Sequence, residues 1–185
     1  MDAVLGTDTA HHFEYLSKFE NRTSAGMSPD QLEKKEDVLL VITYFVKCAD
    51  MSNSSRPAAL NRMWVDRVMS EFFDQGDLER EKSFDVTMFY DRQKPNIPKC
   101  QTGFIDFLVR PMYLKLVNFT QHPAAKRTLD LLEENYLFWK ATLEQNALAT
   151  TLAGPSTAPF KSHLAPVRIC ALGVATDLYL LFFFL

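Results

Sequence analysis

Val38-Leu39-Leu40-Val41-Ile42-Thr43-Tyr44-Phe45-Val46-Lys47-Cys48-Ala49-Asp50-Met51-Ser52-Asn53 is the stretch from which the fold is read. From Val38 to Val46 it holds hardly a polar side chain, and the charged run Glu33 to Asp37 precedes it. That pattern predicts a helix apolar on nearly every face, entering the middle of a helical bundle. Asp50 stands at its end. Burying a carboxylate costs several kcal/mol or more unless it is paired or coordinates a metal. Two readings follow. Asp50 turns back to cap the next loop, or it is a paired or metal-ligating group. One carboxylate does not make a metal site, which needs three or four ligands.

The elements on either side read as helices. Phe13, Leu16 and Phe19 recur at helical spacing, predicting a first helix from Thr7 or Asp8 to Arg22. Ser28-Pro29-Asp30-Gln31 has the form of a helix start, with Ser28 as cap and Gln31 completing a capping box. After a turn at Ser52 to Arg56, Pro57 opens a third helix to about Asp74, with Leu60, Trp64, Val68 and Phe72 on one stripe. Gly76 and a charged segment close it. Ser83 to Asn96 lacks periodicity and reads as a long surface loop. Its Phe84, Val86, Met88 and Phe89 predict that it packs over something.

A fourth helix begins near Pro98, with Gln101, Phe104, Ile105 and Leu108 on one face. Pro111 kinks or restarts it, and it reaches about Phe119. A last helix runs from Pro123 to about Gln145, turning Leu129, Leu132, Tyr136 and Trp139 inward. No strand and no repeat stand out, so the class is all-α. The chain divides into a helical domain, 1–145, and a tail, 146–185. The tail combines a linker composition at Thr150 to Pro159 with an apolar end, Ile169 to Leu185. It is expected to be disordered or a gene-model artefact, with a membrane anchor as the alternative. Asp177 near the middle of that apolar end counts against a span.

Composition narrows the class. The 185 residues suffice for one domain with a real core, and 47% hydrophobic with 23% charged is ordinary for a soluble protein. Net charge is -3, and basic residues lie scattered among acidic ones, so no nucleic-acid surface is expected. Cys48, Cys100 and Cys170 are widely spaced, an odd count that fits a reducing cytosol. No secretory signal precedes Leu5, so a cytoplasmic location is expected, and the sequons at Asn21, Asn53 and Asn118 read as chance matches. His11 and His12 are neighbours and point about 100° apart on a helix, which argues against a shared metal.

Several motifs in one order carry a resemblance. They are Val4-Leu5-Gly6-Thr7-Asp8 with His12, then Lys47 to Asn53 with Arg56-Pro57, then Trp64 to Asp77, then Ile97 to Phe107. Together they resemble the class I 3′,5′-cyclic nucleotide phosphodiesterases from about Val4 to Gln145, closest to the cAMP-specific subfamily. The resemblance implies an all-helical catalytic domain that hydrolyses cAMP or cGMP in signal transduction. It also implies two metals, zinc with magnesium or manganese, that activate a hydroxide toward the cyclic phosphate.

Residue by residue, it implies that Asp50 ligates the tightly bound metal and that Thr7 and Asp8 stand behind the ligands and orient them. It implies that Gln101 pairs with the purine edge and Phe104 stacks on the base. Met51, Asn53, Trp64, Val68 and Phe72 would line the pocket, with Met88 on a mobile loop beside it. For the stripe on the third helix, plain core packing is an equally good account. His12 matches a structural histidine.

Two family motifs are absent. Neither the His-Asn-x-x-His segment, with its general acid, nor the His-Asp pair occurs. The chain therefore corresponds to the C-terminal part of a catalytic domain, with no catalytic acid and one metal ligand. It is expected to be inactive alone and to form a homo-oligomer or otherwise associate through apolar faces that upstream helices would cover. A non-catalytic interaction or regulatory fragment is the alternative. Thr9, Asn61 and Val65 depart from the family pattern at positions that bear on nucleotide preference.

Overall fold

The computed structural model describes residues 5–153. Their regular structure is all helical, with no strand among them. A short 3-10 turn, Thr9–His11, leads into α1, His12–Ser24. A second such turn, Pro29–Gln31, precedes α2, Lys35–Asp50. A third, Ser52–Ser55, joins α2 to α3, Ala58–Glu81. Next come α4, Ile97–Phe104, a π turn, Ile105–Val109, and α5, Arg110–Thr120, followed by α6, Pro123–Ala153. Tail residues from 154 onward, including the apolar end, lie outside the described residues. No helix among the described residues is long and apolar enough to cross a membrane.

Local chemistry sets the boundaries. Asp8 caps the first turn, its Oδ1 accepting from the Ala10 N–H at 2.9 Å. α1 ends on Gly26 at φ 98°, where the Met27 and Gly26 N–H groups donate back to Arg22 and Thr23, a Schellman closure that needs the left-handed residue. The expected capping box at Ser28 does not form. Ser28 makes no side-chain cap bond, Leu32 leaves helical geometry, and α2 begins only at Lys35. The start of α2 is instead tied to α1 by Arg22, whose guanidinium donates to both Asp37 oxygens at 2.7 and 2.5 Å. Those bonds hold the Asp37 carboxyl below the usual carboxylate range.

Two expectations about length are corrected. Gly76 does not end α3, which runs on to Glu81. Gly76 is buried, and a methyl group there would overlap the Tyr90 carbonyl, so its bare Cα lets the following loop lie against the helix. α6 likewise passes Gln145 and reaches Ala153, because Ala, Leu and Thr continue without a breaker. Pro111 restarts the helix as expected: it sits in the first turn of α5, which begins at Arg110 after the π turn. The π turn just before it absorbs the backbone bond that proline cannot make, and the chain stays helical from α4 into α5.

The core gathers α1, α2, α3, the π turn, α5 and α6. Phe19 stacks on Tyr44 with ring centroids 3.8 Å apart and meets Phe119 edge-on at 5.1 Å. Ile105, Val109, Met112 and Leu132 are fully enclosed. Full burial of such side chains stabilises by roughly 1.5–3 kcal/mol each. On α3 the buried stripe is Asn61, Val65, Val68, Met69 and Phe73. Leu60, expected on that stripe, is exposed, and Trp64 and Phe72 sit half-buried at its edge.

α2 also departs from the expectation of burial on nearly every face. Leu40, Tyr44, Lys47, Cys48 and Asp50 point inward, while Leu39, Ile42, Phe45 and Val46 lie open. Beside that open face runs an apolar groove of about 590 Å³, lined by Leu32, Val41, Phe45, Leu116 and Phe119 among others.

Candidate nucleotide and metal-ligand site

The candidate site is organised around the C-terminal end of α2. Asp50 is buried there, 7% exposed, and its carboxylate has no hydrogen bond or ion pair among the described residues. Burial pushes its pKa up to about 6, and the Lys47 charge one turn earlier pulls it back only in part. A buried, unpartnered carboxylate has the donor chemistry of a ligand waiting for a cation. Nothing else completes a site: no three His, Cys, Asp or Glu side chains cluster as metal ligands among the described residues. Asp50 offers one ligand, and the described residues by themselves do not hold a metal.

Thr7 and Asp8 reach the same end of α2 through Lys47. Its Nζ donates to the Gly6, Thr7 and Asp8 carbonyls at 3.4, 3.1 and 3.1 Å. Gly6 lies flat against α2, where any side chain would strike Thr43. Thr7 is buried, and Asp8 is spent on capping the first turn. His12, adjacent to this segment, is enclosed at 1% exposure, and neither ring nitrogen closes a hydrogen bond. Burial first, and the Lys47 charge second, lower its pKa to about 4, against a weak pull from the Leu108 carbonyl. It is a neutral packing residue. His11 is exposed and pairs with Glu14.

Past Asp50 the chain turns through Met51 and Ser52–Ser55. Met51 is 2% exposed and joins the core cluster with Val65, Met69, Phe73 and Ile105. Phe72 and Phe104 pack against that cluster from α3 and α4. Asn53 is buried, its Oδ1 accepting from Ser54 Oγ at 3.2 Å. Gln101 is also buried, one turn before Phe104, and its amide makes no hydrogen bond among the described residues. α4 starts correctly for this because Asn96 Oδ1 accepts from the Lys99 N–H. Val68 is buried and Trp64 half-buried, with the Arg67 guanidinium 5.4 Å from its ring.

Phe72 and Met88 both bear on the loop that follows α3. The Phe72 ring is stacked on Tyr90 at 4.3 Å, so the loop contributes an aromatic lid to that residue. Met88 is 75% exposed, and Phe84 is exposed with it. Of the apolar loop residues, Phe84 and Met88 therefore stand open, whereas Val86 and Phe89 are half-buried. Ion pairs also hold the loop: Arg80 to Asp91 at 2.7 Å and Arg92 to Asp74 and Asp77 at 2.5 and 2.8 Å.

A buried hydrogen-bond network, invisible to periodicity, fixes the turn after Asp50. Asn135 Nδ2 on α6 donates to the Ser54 and Arg56 carbonyls at 2.9 and 2.7 Å. Asn61 Nδ2 donates to the Asn53 carbonyl at 3.1 Å, and its Oδ1 accepts from the Trp139 Nε1–H at 3.2 Å. The Tyr113 hydroxyl donates to the Cys48 carbonyl at 2.7 Å and accepts from Ser55 Oγ. The only sequence signal for Asn61 and Asn135 is a polar residue standing in an otherwise apolar helical stripe. Asn61 and Val65, which depart from the family pattern, both lie fully buried in the core.

Comparison with known proteins agrees with this architecture. Residues 1–132 match the sequence profile of the family described as 3'5'-cyclic nucleotide phosphodiesterase. A rat 3',5'-cyclic-AMP phosphodiesterase 4C is 35% identical over 139 residues, 73% of this chain and 26% of that protein. A Drosophila melanogaster 3',5'-cyclic-AMP phosphodiesterase, isoform F, is 37% identical over 147 residues, 77% of this chain and 22% of that protein. The phosphodiesterase domain of Salpingoeca rosetta rhodopsin phosphodiesterase superposes with TM-score 0.72 at 28% identity, over 81% of this chain and 45% of that one. LmjPDEB1, solved in complex with IBMX, gives TM-score 0.71 at 33% identity, over 78% and 42%. The chain spans 26% of the length of the first of these curated relatives and less of the second. With the profile matching most of the chain and the helical fold shared with solved domains, the chain belongs to the 3'5'-cyclic nucleotide phosphodiesterase family.

Proposed function

We propose that this chain forms the base-binding side and one metal-ligand side of a catalytic domain that hydrolyses 3',5'-cyclic nucleotides to 5'-monophosphates. The observation that carries the reading is Asp50, a buried carboxylate with no partner, a turn away from the buried Asn53. The unpartnered Gln101 amide supports it: a primary amide can both donate to and accept from a purine edge. Phe104, one helical turn on, offers a ring for stacking. Thr7 and Asp8, drawn to the Asp50 end by Lys47, would orient what binds there.

Zinc with magnesium or manganese, as expected for a complete domain, would polarise the phosphoryl group and supply the nucleophile. Asp50 would give one carboxylate oxygen to that pair. The remaining ligands and the acid for the leaving oxygen come from outside the described residues, and the chain alone is expected to give no turnover. Relatives named for cyclic AMP favour that nucleotide, with cyclic GMP the competing substrate. The cytosol is the compartment that suits the free thiols Cys48 and Cys100.

The test is hydrolysis of cAMP and cGMP with zinc and magnesium. The chain alone should give background rates. Fused behind the upstream half of the rat relative's catalytic domain, it should turn over; Asp50→Ala should abolish the rate and Gln101→Ala should raise KM. Turnover by the chain alone, lost in Asp50→Ala, would overturn the claim of incompleteness. A fusion indifferent to both substitutions would overturn the site.

A further inference from the structure

Lys47 is among the most enclosed side chains described, at 1% exposure, and it forms no ion pair within salt-bridge distance among the described residues. Stripping water from an ammonium is costly unless its three N–H donors are satisfied. Here one short segment supplies all three acceptors, the carbonyls of Gly6, Thr7 and Asp8, at 3.1 to 3.4 Å. Its own backbone contributes a long bond from the Asp8 N–H to the Leu5 carbonyl at 3.4 Å and one from His11 to Asp8 at 3.2 Å. Gly6 fits closely against Thr43 and Tyr15. Burial lowers the Lys47 pKa, and the charges of Asp50 and then Asp8 pull back toward the ammonium, while His12, enclosed nearby, adds no hydrogen bond.

We propose that Lys47 is a positioning residue of the site: its buried ammonium acts as a built-in cation that gathers the Gly6, Thr7 and Asp8 carbonyls and fixes that segment beside Asp50. The functional consequence rests on the reading of Asp50 as a metal ligand; the clamp itself does not. Three carbonyls converging on one point form a cation cage, and the lysine stem delivers the cation from α2. Charge, rather than packing of the stem, is what the segment needs.

The experiment removes the cation and returns it. Lys47→Ala deletes three methylenes and the ammonium, the equivalent of n-propylammonium. In the full chain, amide exchange at Asp8, Ala10 and His11 is followed by NMR. The variant should exchange about tenfold faster or more at these amides, a local opening of the segment. Added n-propylammonium should restore protection, and 1-propanol, which fills the same space without charge, should not. Equal rescue by 1-propanol would overturn the proposal, as would wild-type exchange in the variant. Should Lys47→Ala lose its fold, Lys47→Met decides, since it keeps the stem and lacks the donors. Faster exchange at the three amides in a folded Lys47→Met chain supports the clamp, and unchanged exchange overturns it. Because none of these readouts involves hydrolysis, failure of the clamp and failure of the phosphodiesterase reading are separable.

Discussion

Replacing Asn135 by alanine removes the side chain through which α6 holds the turn after Asp50. Its Nδ2 donates to two carbonyls, Ser54 at 2.9 Å and Arg56 at 2.7 Å. Each bond is worth about 1 kcal/mol net. The two carbonyls then fare differently. Arg56 is exposed, and water can replace the lost donor there. Ser54 is 0% exposed, so its carbonyl stays unsatisfied, which costs about 1–3 kcal/mol. The expected loss is about 2–4 kcal/mol, or a melting point lower by about 5–15 °C for a domain of this size. Urea unfolding of the chain measures it as a lower midpoint at unchanged slope. Asn135→Leu restores the volume without the donors and should lose a similar amount, which separates the hydrogen bonds from any cavity. A loss below about 0.5 kcal/mol in both variants, the range of an ordinary surface change, would refute the network as the element that fixes the turn.

The acid limb of stability should contain two opposed contributions. His12 titrates near 4 when folded and near 6.5 when free, so the unfolded chain binds the extra proton between them; its contribution is full above 6.5 and lost as pH falls toward 4. The Asp50 carboxyl is raised to about 6 from 3.8, so its contribution is present below 3.8 and lost as pH rises through 6. Thermal melts from pH 4 to 7 should show a flatter acid limb in His12→Phe and a higher neutral-pH midpoint in Asp50→Asn; parallel curves for wild type and both variants would contradict these environments. The open α2 face, Leu39, Ile42, Phe45 and Val46, should drive association of the chain. Sedimentation should shift toward monomer in Ile42→Lys at unchanged helicity, and an identical distribution would show that this face is not the contact.

How much of this was legible in the sequence depends on where the physical cause lies. Phe13, Leu16 and Phe19, or Leu129, Leu132 and Trp139, mark helices because their spacing alone predicts a buried stripe. Asp50 stood out because a carboxylate after an apolar run carries an energetic cost visible without coordinates. Gly76 misled for the opposite reason. Glycine is a poor helix former locally, and only the approach of the Tyr90 backbone, fourteen residues on, explains why the helix keeps it. Ser28 had the form of a cap, but the helix it should have started waits for Lys35 and the Arg22–Asp37 pair.

The turn that follows Asp50 was illegible for a related reason. Its donors come from distant parts of the chain: Asn135 reaches Ser54 across 81 positions, and Tyr113 reaches Cys48 across 65. No local pattern encodes such a partner. A buried asparagine or lysine in an apolar stripe can be noticed in sequence, but whether it is satisfied is a property of the fold. That distinction bears on the site itself. Asn53, Asn61, Asn135 and Lys47 all find their partners within this chain, whereas Asp50 and Gln101 are buried without one. Polar groups that scaffold a site are expected to be satisfied internally, and polar groups that bind are expected to be held open by them. That contrast agrees with the proposal that the carboxylate and the amide bind, framed by the asparagines, the tyrosine and the lysine, while His12, unpartnered but held neutral by burial, serves packing.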